Sequence, residues 1–222
     1  MTLPAGTALP TWTVDNQARS QDAVLAALAC RGHRTTVLRS SMSTPVPVLD
    51  TERLVLRAFR SADAPRVREL AGTKEVADLM FTIPHPYPEG AAESWIANHQ
   101  GWAEQGLGYN WAITLRSVGL LLGCVALGLT SHHERGELGY WLGVTYWGKG
   151  YASEAVSMVA GYGFGSLKLH RIEAMCYPRN RASARVLEKA GFAYEGRLRG
   201  YLRRGERFED VLMYAALNPA AR

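Results

Sequence analysis

The sequence predicts an α/β (α+β) fold in which a mixed, mostly antiparallel central sheet is flanked by helices. Three observations carry that expectation. Runs with a period of two residues are interleaved with runs of helical period. Three strand candidates follow one another between residues 109 and 144 with only turn residues between them, the pattern of an antiparallel meander. A helix, a strand, a helix and two more strands then close the order, with no internal repeat and no second domain.

Residues 1–48 read as an N-terminal extension, either partly disordered or packed on the outside, and residues 49–217 as the domain. Within the extension only "SQDAVLAALACRG" (20–32) has helical character, with Val24, Leu25, Leu28 and Ala29 on one face and Gly32 as a stop. Met42 opens the Pro-rich, extended "MSTPVPVLDTERLVLR", a natural beginning for the domain, so the first 41 residues are expected to be dispensable or not native. "RLVLRAF" (53–59) alternates Leu54, Leu56 and Ala58 with Arg53, Val55 and Arg57 and reads as a strand. "SADAPRVRELAG" (61–72) reads as a helix with a Ser cap, Asp63 in its first turn and Gly72 at its end. The proline-broken loop "TIPHPYPEG" leads to an amphipathic helix over 91–106 that carries Trp95, Ile96, His99 and Trp102. The meander strands are 109–115, 120–129 and 135–144. Then come a helix over 150–165 with Ala152, Ala155, Val156, Val159 and Gly163 on one face, and a strand over 171–177. A helix over 180–191 follows, with Ala182, Val186, Leu187 and Ala190 inward and Gly191 as C-cap, and a hairpin around "RRGE" closes the domain.

Composition narrows the function classes. The 222 residues are 47% hydrophobic and 20% charged, the mix of a soluble globular domain. No apolar run approaches the ~20 residues that span a bilayer, and the start lacks a basic n-region followed by an apolar core. No membrane partner is expected, and the cytoplasm is the default location. Cys30, Cys124 and Cys176 lack CxxC spacing and read as small buried thiols rather than a disulfide or metal site. His132 and His133, adjacent and with no third ligand in view, do not make a metal site, so none is expected. The net charge of +5 is spread out apart from "RLRGYLRRGER" (197–207). With no RNA-binding motif around that stretch, an anionic cofactor or acidic partner explains the charge as well as nucleic acid does.

The stretch "TYWGKGYASEA" (145–155) places Gly148, Lys149 and Gly150 directly before a helix. The first N–H groups of a helix lack intrahelical acceptors and carry about half a positive charge. Glycines let an anion such as a pyrophosphate approach several of those donors, and Lys149 adds a formal charge. A tight turn alone would also use these glycines. GxxxxGK[ST] and GxGxxG loops are excluded, because Gly150 is followed by Tyr-Ala-Ser and the preceding strands form a meander. In "RIEAMCYPRNRASARVLEKAGF", Asn180 opens a helix and Ser183 lies one turn in. An Asn there can act simply as the cap.

Taken together, "ELGYWLGVTYWGKGYASEAV" and "LKLHRIEAMCYPRNRASARVLEKAGF" closely resemble the GNAT N-acetyltransferases, in particular the RimJ/RimL-type branch, over about residues 49–217. The resemblance implies a GNAT-like acyl-CoA N-acyltransferase fold. It implies that Gly148, Lys149, Gly150, Tyr151, Ala152 and Ser153 hold the pyrophosphate of acetyl-CoA, and that the strand at Leu142, Gly143 and Val144 pairs with the pantetheine arm at a splay after it. It also implies that Asn180 and Ser183 contact the coenzyme or its thiol.

Acetyl transfer to an amine needs a neutral amine, a polarised carbonyl, alignment and a stabilised leaving thiolate. Glu137 stands where the family often carries a carboxylate and is the candidate base, directly or through water. It could instead be a solvated strand residue or the partner of Arg171. Leu187 falls where many members carry a tyrosine acid; the resemblance to the RimJ/RimL-type branch implies that a serine at the position of Ser183 serves instead, with Tyr140 and Tyr151 as reserves. No further family carboxylate is evident after "EGRLRGYL". Trp95, Trp102 and Trp111 are candidates to line the acceptor side. The expected acceptor is a protein N-terminal amine of the ribosomal-protein type. A small-molecule amine (antibiotic, amino acid or polyamine), a non-catalytic acyl-CoA sensor and a nucleic-acid module are the alternatives. Monomer and homodimer both stay open.

Overall fold

A computed structural model describes residues 46–220, and the expectations for Cys30 and the 20–32 helix fall outside that range. The elements run β1 (Leu49–Asp50), β2 (Leu54–Ala58), α1 (Ala64–Ala71), α2 (Lys74–Ala77), α3 (Ala91–Glu104), β3 (Gly108–Leu115), β4 (Leu121–Thr130) and β5 (Arg135–Leu142). They continue through α4 (Tyr151–Gly165), β6 (Arg171–Cys176), α5 (Arg181–Lys189), β7 (Ala193–Arg204) and β8 (Arg207–Leu217). One eight-stranded sheet results, in the order β1-β2-β3-β4-β5-β6-β8-β7. Every neighbouring pair is antiparallel except β5 and β6, which α4 links as a crossover.

Alternation along the strands divides the core in two. Leu56, Trp111, Ile113, Leu122, Val125, Leu138 and Ile172 pack under α4 and α5 with Val156, Val159 and Leu187. Ala112, Cys124 and Trp141 turn to the other face, under α1 and α3, and meet Val67, Leu70 and Ile96. Leu187 is completely buried, so truncating it to Ala would cost about 2–5 kcal/mol. Upstream of β1, Val46 packs against the first cluster and Pro47 accepts a 2.7 Å hydrogen bond from the Trp111 indole. Cys124 and Cys176 are free and buried, as their apolar runs suggest.

Several local expectations are corrected. Ser61 does not cap the first helix. Residues Ser61–Asp63 form a 3-10 turn, and the Asp63 carboxylate accepts from the Arg60 amide (2.8 Å) and from the Arg57 fork (2.7 and 2.9 Å). Burial alone would raise the Asp63 carboxyl, but these bonds hold it below its ordinary range. Ala182 faces solvent rather than the core. The strand expected over 135–144 stops at Leu142, because Val144–Tyr146 turn into a 3-10 helix. Gly143 is required there by packing, since a Cβ would stand 2.5 Å from Leu70.

Candidate active site

The turn between β5 and α4 has the features of an anion cradle. Gly148 (φ 74°) and Gly150 (φ 80°) both adopt left-handed backbone that a side chain disfavours. Gly150 is the N-cap of the 15-residue α4. Among the described residues, the N–H groups of residues 148–153 have no acceptor, whereas Glu154 N–H already bonds Gly150 O at 3.1 Å. A Cβ at Gly148 would meet no atom within 4 Å, so the turn faces open space. Lys149 is exposed, its ammonium 5.8 Å from the centre of the Tyr146 ring. At the back of the turn Arg53 donates to Lys149 O at 3.0 Å.

Beside this turn the sheet unzips. β5 and β6 pair at only three positions, Arg135 with Arg171, Gly136 with Ile172 and Glu137 with Glu173, and then separate. The alternation that turns Gly143 N–H onto Leu122 O (2.9 Å) turns the backbone of Leu138, Tyr140 and Leu142 toward the gap. The splay therefore opens within β5, earlier than the end of the strand where it was expected. The Leu142 carbonyl accepts the Trp147 indole N–H at 2.7 Å. The unpaired edge beside the gap therefore comprises Leu138, Tyr140 and the Leu142 N–H, next to Gly143 and Val144.

The two faces of the gap carry different chemistry. On the α5 side, Ser183 Oγ lies 2.7 Å from the Tyr140 hydroxyl, which also donates to Ser183 O at 3.2 Å. Burial pushes the Tyr140 phenol well up, and it pushes the Cys176 thiol up to about 11 despite the neighbouring Ser183 hydroxyl. Asn180 is the cap of α5: its Oδ1 accepts the Ser183 amide at 3.0 Å, which leaves its Nδ2 as the free donor. Leu187 is an aliphatic side chain buried in the core and offers no proton to the gap. On the opposite face, Glu137 has no hydrogen-bonded or ion-paired partner among the described residues, because Arg171 engages Glu173 (3.1 Å) and Glu195 (2.5 Å) instead. Crowding by the protein raises the Glu137 carboxyl and the Glu173 carboxylate raises it further, against a smaller opposing effect of Arg135.

One expectation for the acceptor side is corrected. Trp111 is fully buried under α4, tilted against Tyr109 and edge-to-face with Tyr162, and does not line an acceptor site. Trp95 and Trp102 flank His99 on α3. His99 is buried with both ring nitrogens unpartnered, and burial pushes its pKa down to about 4. The arginines of 197–207 are partly neutralised. Arg197 pairs with Asp210 (2.5 Å) and Arg204 with Asp78 (3.3 Å), which weakens a nucleic-acid footprint. His132 and His133 stack on each other, and no cluster of three metal-ligating side chains forms among the described residues. No helix there is long and apolar enough to cross a membrane.

Residues missed by sequence reasoning are Arg53, Thr51 and Glu154 behind the cradle and Glu173 beside Glu137. The first group is joined across about a hundred positions, so no local spacing signals it.

Comparison with known proteins agrees with this geometry. Residues 53–193 match the family described as acetyltransferase (GNAT) domain. The chain is 33% identical over 174 residues to the uncharacterized N-acetyltransferase YoaA of Bacillus subtilis, covering 78% of this chain and 98% of that protein. The structure resembles the ribosomal-protein-S5-alanine acetyltransferase of Vibrio fischeri (TM-score 0.69, 25% identity, 79% of this chain and 99% of that one). It also resembles Mycobacterium smegmatis RimJ in complex with CoA-disulfide (TM-score 0.68, 26% identity, 79% and 88%).

Proposed function

We propose a donor and an acceptor for this chain, which belongs to the GNAT acetyltransferase family and is an acyltransferase: it moves an acetyl group from acetyl-CoA to a protein N-terminal amine of the ribosomal-protein type. The observation that carries this reading is the row of unpartnered amides at residues 148–153, opening onto the unpaired edge of β5.

The cradle fits a diphosphate. Its amides are free, its glycines leave space for phosphate oxygens, and Lys149 and the α4 dipole supply positive charge without a desolvated counter-ion. Tyr151, Ala152 and Ser153 contribute first-turn N–H groups, and the Ser153 hydroxyl is placed to add a donor. The main chain of Leu138 and Tyr140 pairs with a pantetheine amide arm as an added strand, with Val144 as an exposed apolar wall. When bound, acetyl-CoA supplies a thioester whose carbonyl carbon takes the amine and whose sulfur leaves as the thiol.

Two side chains then act from opposite faces of the gap. Glu137, with its raised carboxyl, accepts the proton that the incoming ammonium must lose, directly or through water. Ser183 Oγ is held 2.7 Å from the Tyr140 hydroxyl, a pair in which either oxygen can donate, and it presents its hydroxyl to the departing sulfur. Asn180 Nδ2 is the remaining donor on that side. Because residues alternate along β5, Glu137 and the Tyr140 that holds Ser183 lie on opposite faces of the strand.

The choice of a protein N-terminus rests on two supports. α1 and α3 cover β3 to β5 but leave Glu137 exposed and Met175 half-buried, room for an extended peptide. In addition, the similar Vibrio fischeri protein is a ribosomal-protein-S5-alanine acetyltransferase. The test is thiol release from acetyl-CoA against N-terminal peptides and small amines side by side. Peptide-dependent release exceeding that with antibiotics, amino acids or polyamines is expected. Faster turnover of a small amine would replace the acceptor, and release independent of every amine would reduce the protein to an acyl-CoA-binding sensor.

A further inference from the structure

The glycine turn is held by residues far from it in sequence. Glu154, in the first turn of α4, receives the Thr51 hydroxyl (2.5 Å), the Arg53 amide (2.9 Å) and Arg53 Nε (2.7 Å). The second terminal nitrogen of Arg53 lies 2.6 Å from the same carboxylate. The remaining guanidinium nitrogen, Nη1, donates to Lys149 O at 3.0 Å, and the group stacks over the Tyr151 ring at 4.8 Å. One planar cation thus bridges the start of β2, the middle residue of the glycine turn and the first turn of α4. Arg116, at the β3–β4 turn, braces the other side by bonding Thr51 O at 2.7 and 3.0 Å. Burial would raise the Glu154 carboxyl, but the donors from Thr51 and Arg53 overcome it and keep the group ionised.

Glycine is the residue that most needs such a brace. Gly148 and Gly150 each have left-handed and right-handed conformations within easy reach, and neither touches another element closely, apart from Arg53 beside Gly150. A loop that wanders must be ordered when it binds, and affinity falls by that cost.

We propose that Arg53, anchored by Glu154 and Thr51, is a positioning residue that preorganises residues 148–150 for the diphosphate of the acyl donor. This rests on the cradle reading above. The fork is what the role needs: a guanidinium can hold the carboxylate and the Lys149 carbonyl at once, and an ammonium lacks that planar spread.

The experiment compares wild type, Arg53→Ala, Arg53→Lys and Thr51→Val with two donors, acetyl-CoA and S-acetylpantetheine, which lacks the diphosphate. Calorimetry and steady-state kinetics are read together with thermal melting. For Arg53→Ala the expected result is a rise of about tenfold in Kd and KM for acetyl-CoA, with kcat within about twofold and KM for S-acetylpantetheine unchanged. Arg53→Lys should resemble Arg53→Ala. Thr51→Val, the mild change retained in case Arg53 variants misfold, should shift the same constant by about two- to threefold. Unchanged acetyl-CoA affinity in folded Arg53→Ala overturns the proposal, as does equal damage with both donors or full rescue by Arg53→Lys, which would make the charge and not the fork responsible. Wild-type protein that fails to bind acetyl-CoA at all refutes the cradle itself, a separate result.

Discussion

The cradle before α4 and the open face beside β5 and β6 are built from different material. The first is main chain, amides at residues 148–153 freed by two glycines in left-handed backbone. The second is side chain, with Glu137 and Glu173 on one face of the gap and Ser183 with Tyr140 on the other. On the proposed reading, backbone donors hold the diphosphate that every acyl-CoA shares, and side chains on the open face meet the acceptor, the part in which one fold changes substrate.

That contrast makes graded predictions. The largest effect belongs to Gly150→Val, which puts a β-branched residue at φ 80° and a Cβ 3.3 Å from Arg53. Acetyl-CoA binding by calorimetry should fall at least about a hundredfold, and Gly148→Val should behave alike. Undiminished binding in either would move the diphosphate elsewhere.

Glu137→Gln comes next and tests the other half. The folded carboxyl titrates above the ordinary carboxylate range, so wild-type kcat/KM should decline as pH falls through that raised value. The substitution should lower turnover by about a hundredfold near neutral pH and erase the acidic limb, leaving acetyl-CoA affinity intact. An unchanged pH–rate profile removes Glu137 as the base.

Ser183→Ala should cut kcat by about tenfold, the scale of one charge-stabilising hydrogen bond, with a smaller change in acetyl-CoA affinity. A reversed ratio would assign the serine to binding instead.

The smallest effect on activity is expected at His99, which lies in neither half. Its pKa is depressed to about 4 by burial, against about 6.5 in the unfolded chain. The native state therefore resists a proton that the unfolded state accepts. Stability from this group is complete above about pH 6.5 and is lost toward pH 4, by up to about 3 kcal/mol. His99→Leu should flatten that decline, raise stability near neutral pH by about 1 kcal/mol by removing unpartnered nitrogens, and leave turnover alone. Urea unfolding at several pH values checks it.

What was legible in the sequence follows the same division. Gly148, Gly150, the following helix and the Asn180 cap are local, with spacing that states their backbone geometry directly. So is the succession of elements along the chain, apart from the two-residue β1 and the four-residue α2, which are too short to show a period. The misread residues answer to tertiary packing. Trp111 looks like any aromatic on an alternating strand, but the sheet turns it beneath α4. β5 stops at Leu142 because the Trp147 indole and Leu70 claim its end. Tyr140 and Ser183 meet across 43 residues, and Arg53 reaches Glu154 across 101, distances that local pattern does not span.

The most direct test of the backbone cradle is amide-resolved NMR of the protein titrated with acetyl-CoA and, separately, with S-acetylpantetheine. The account predicts that acetyl-CoA shifts the amides of residues 148–153 most strongly, and that the diphosphate-free donor perturbs Leu138 and Tyr140 while leaving 148–153 in place. Saturable acetyl-CoA binding with those six amides unmoved would contradict it.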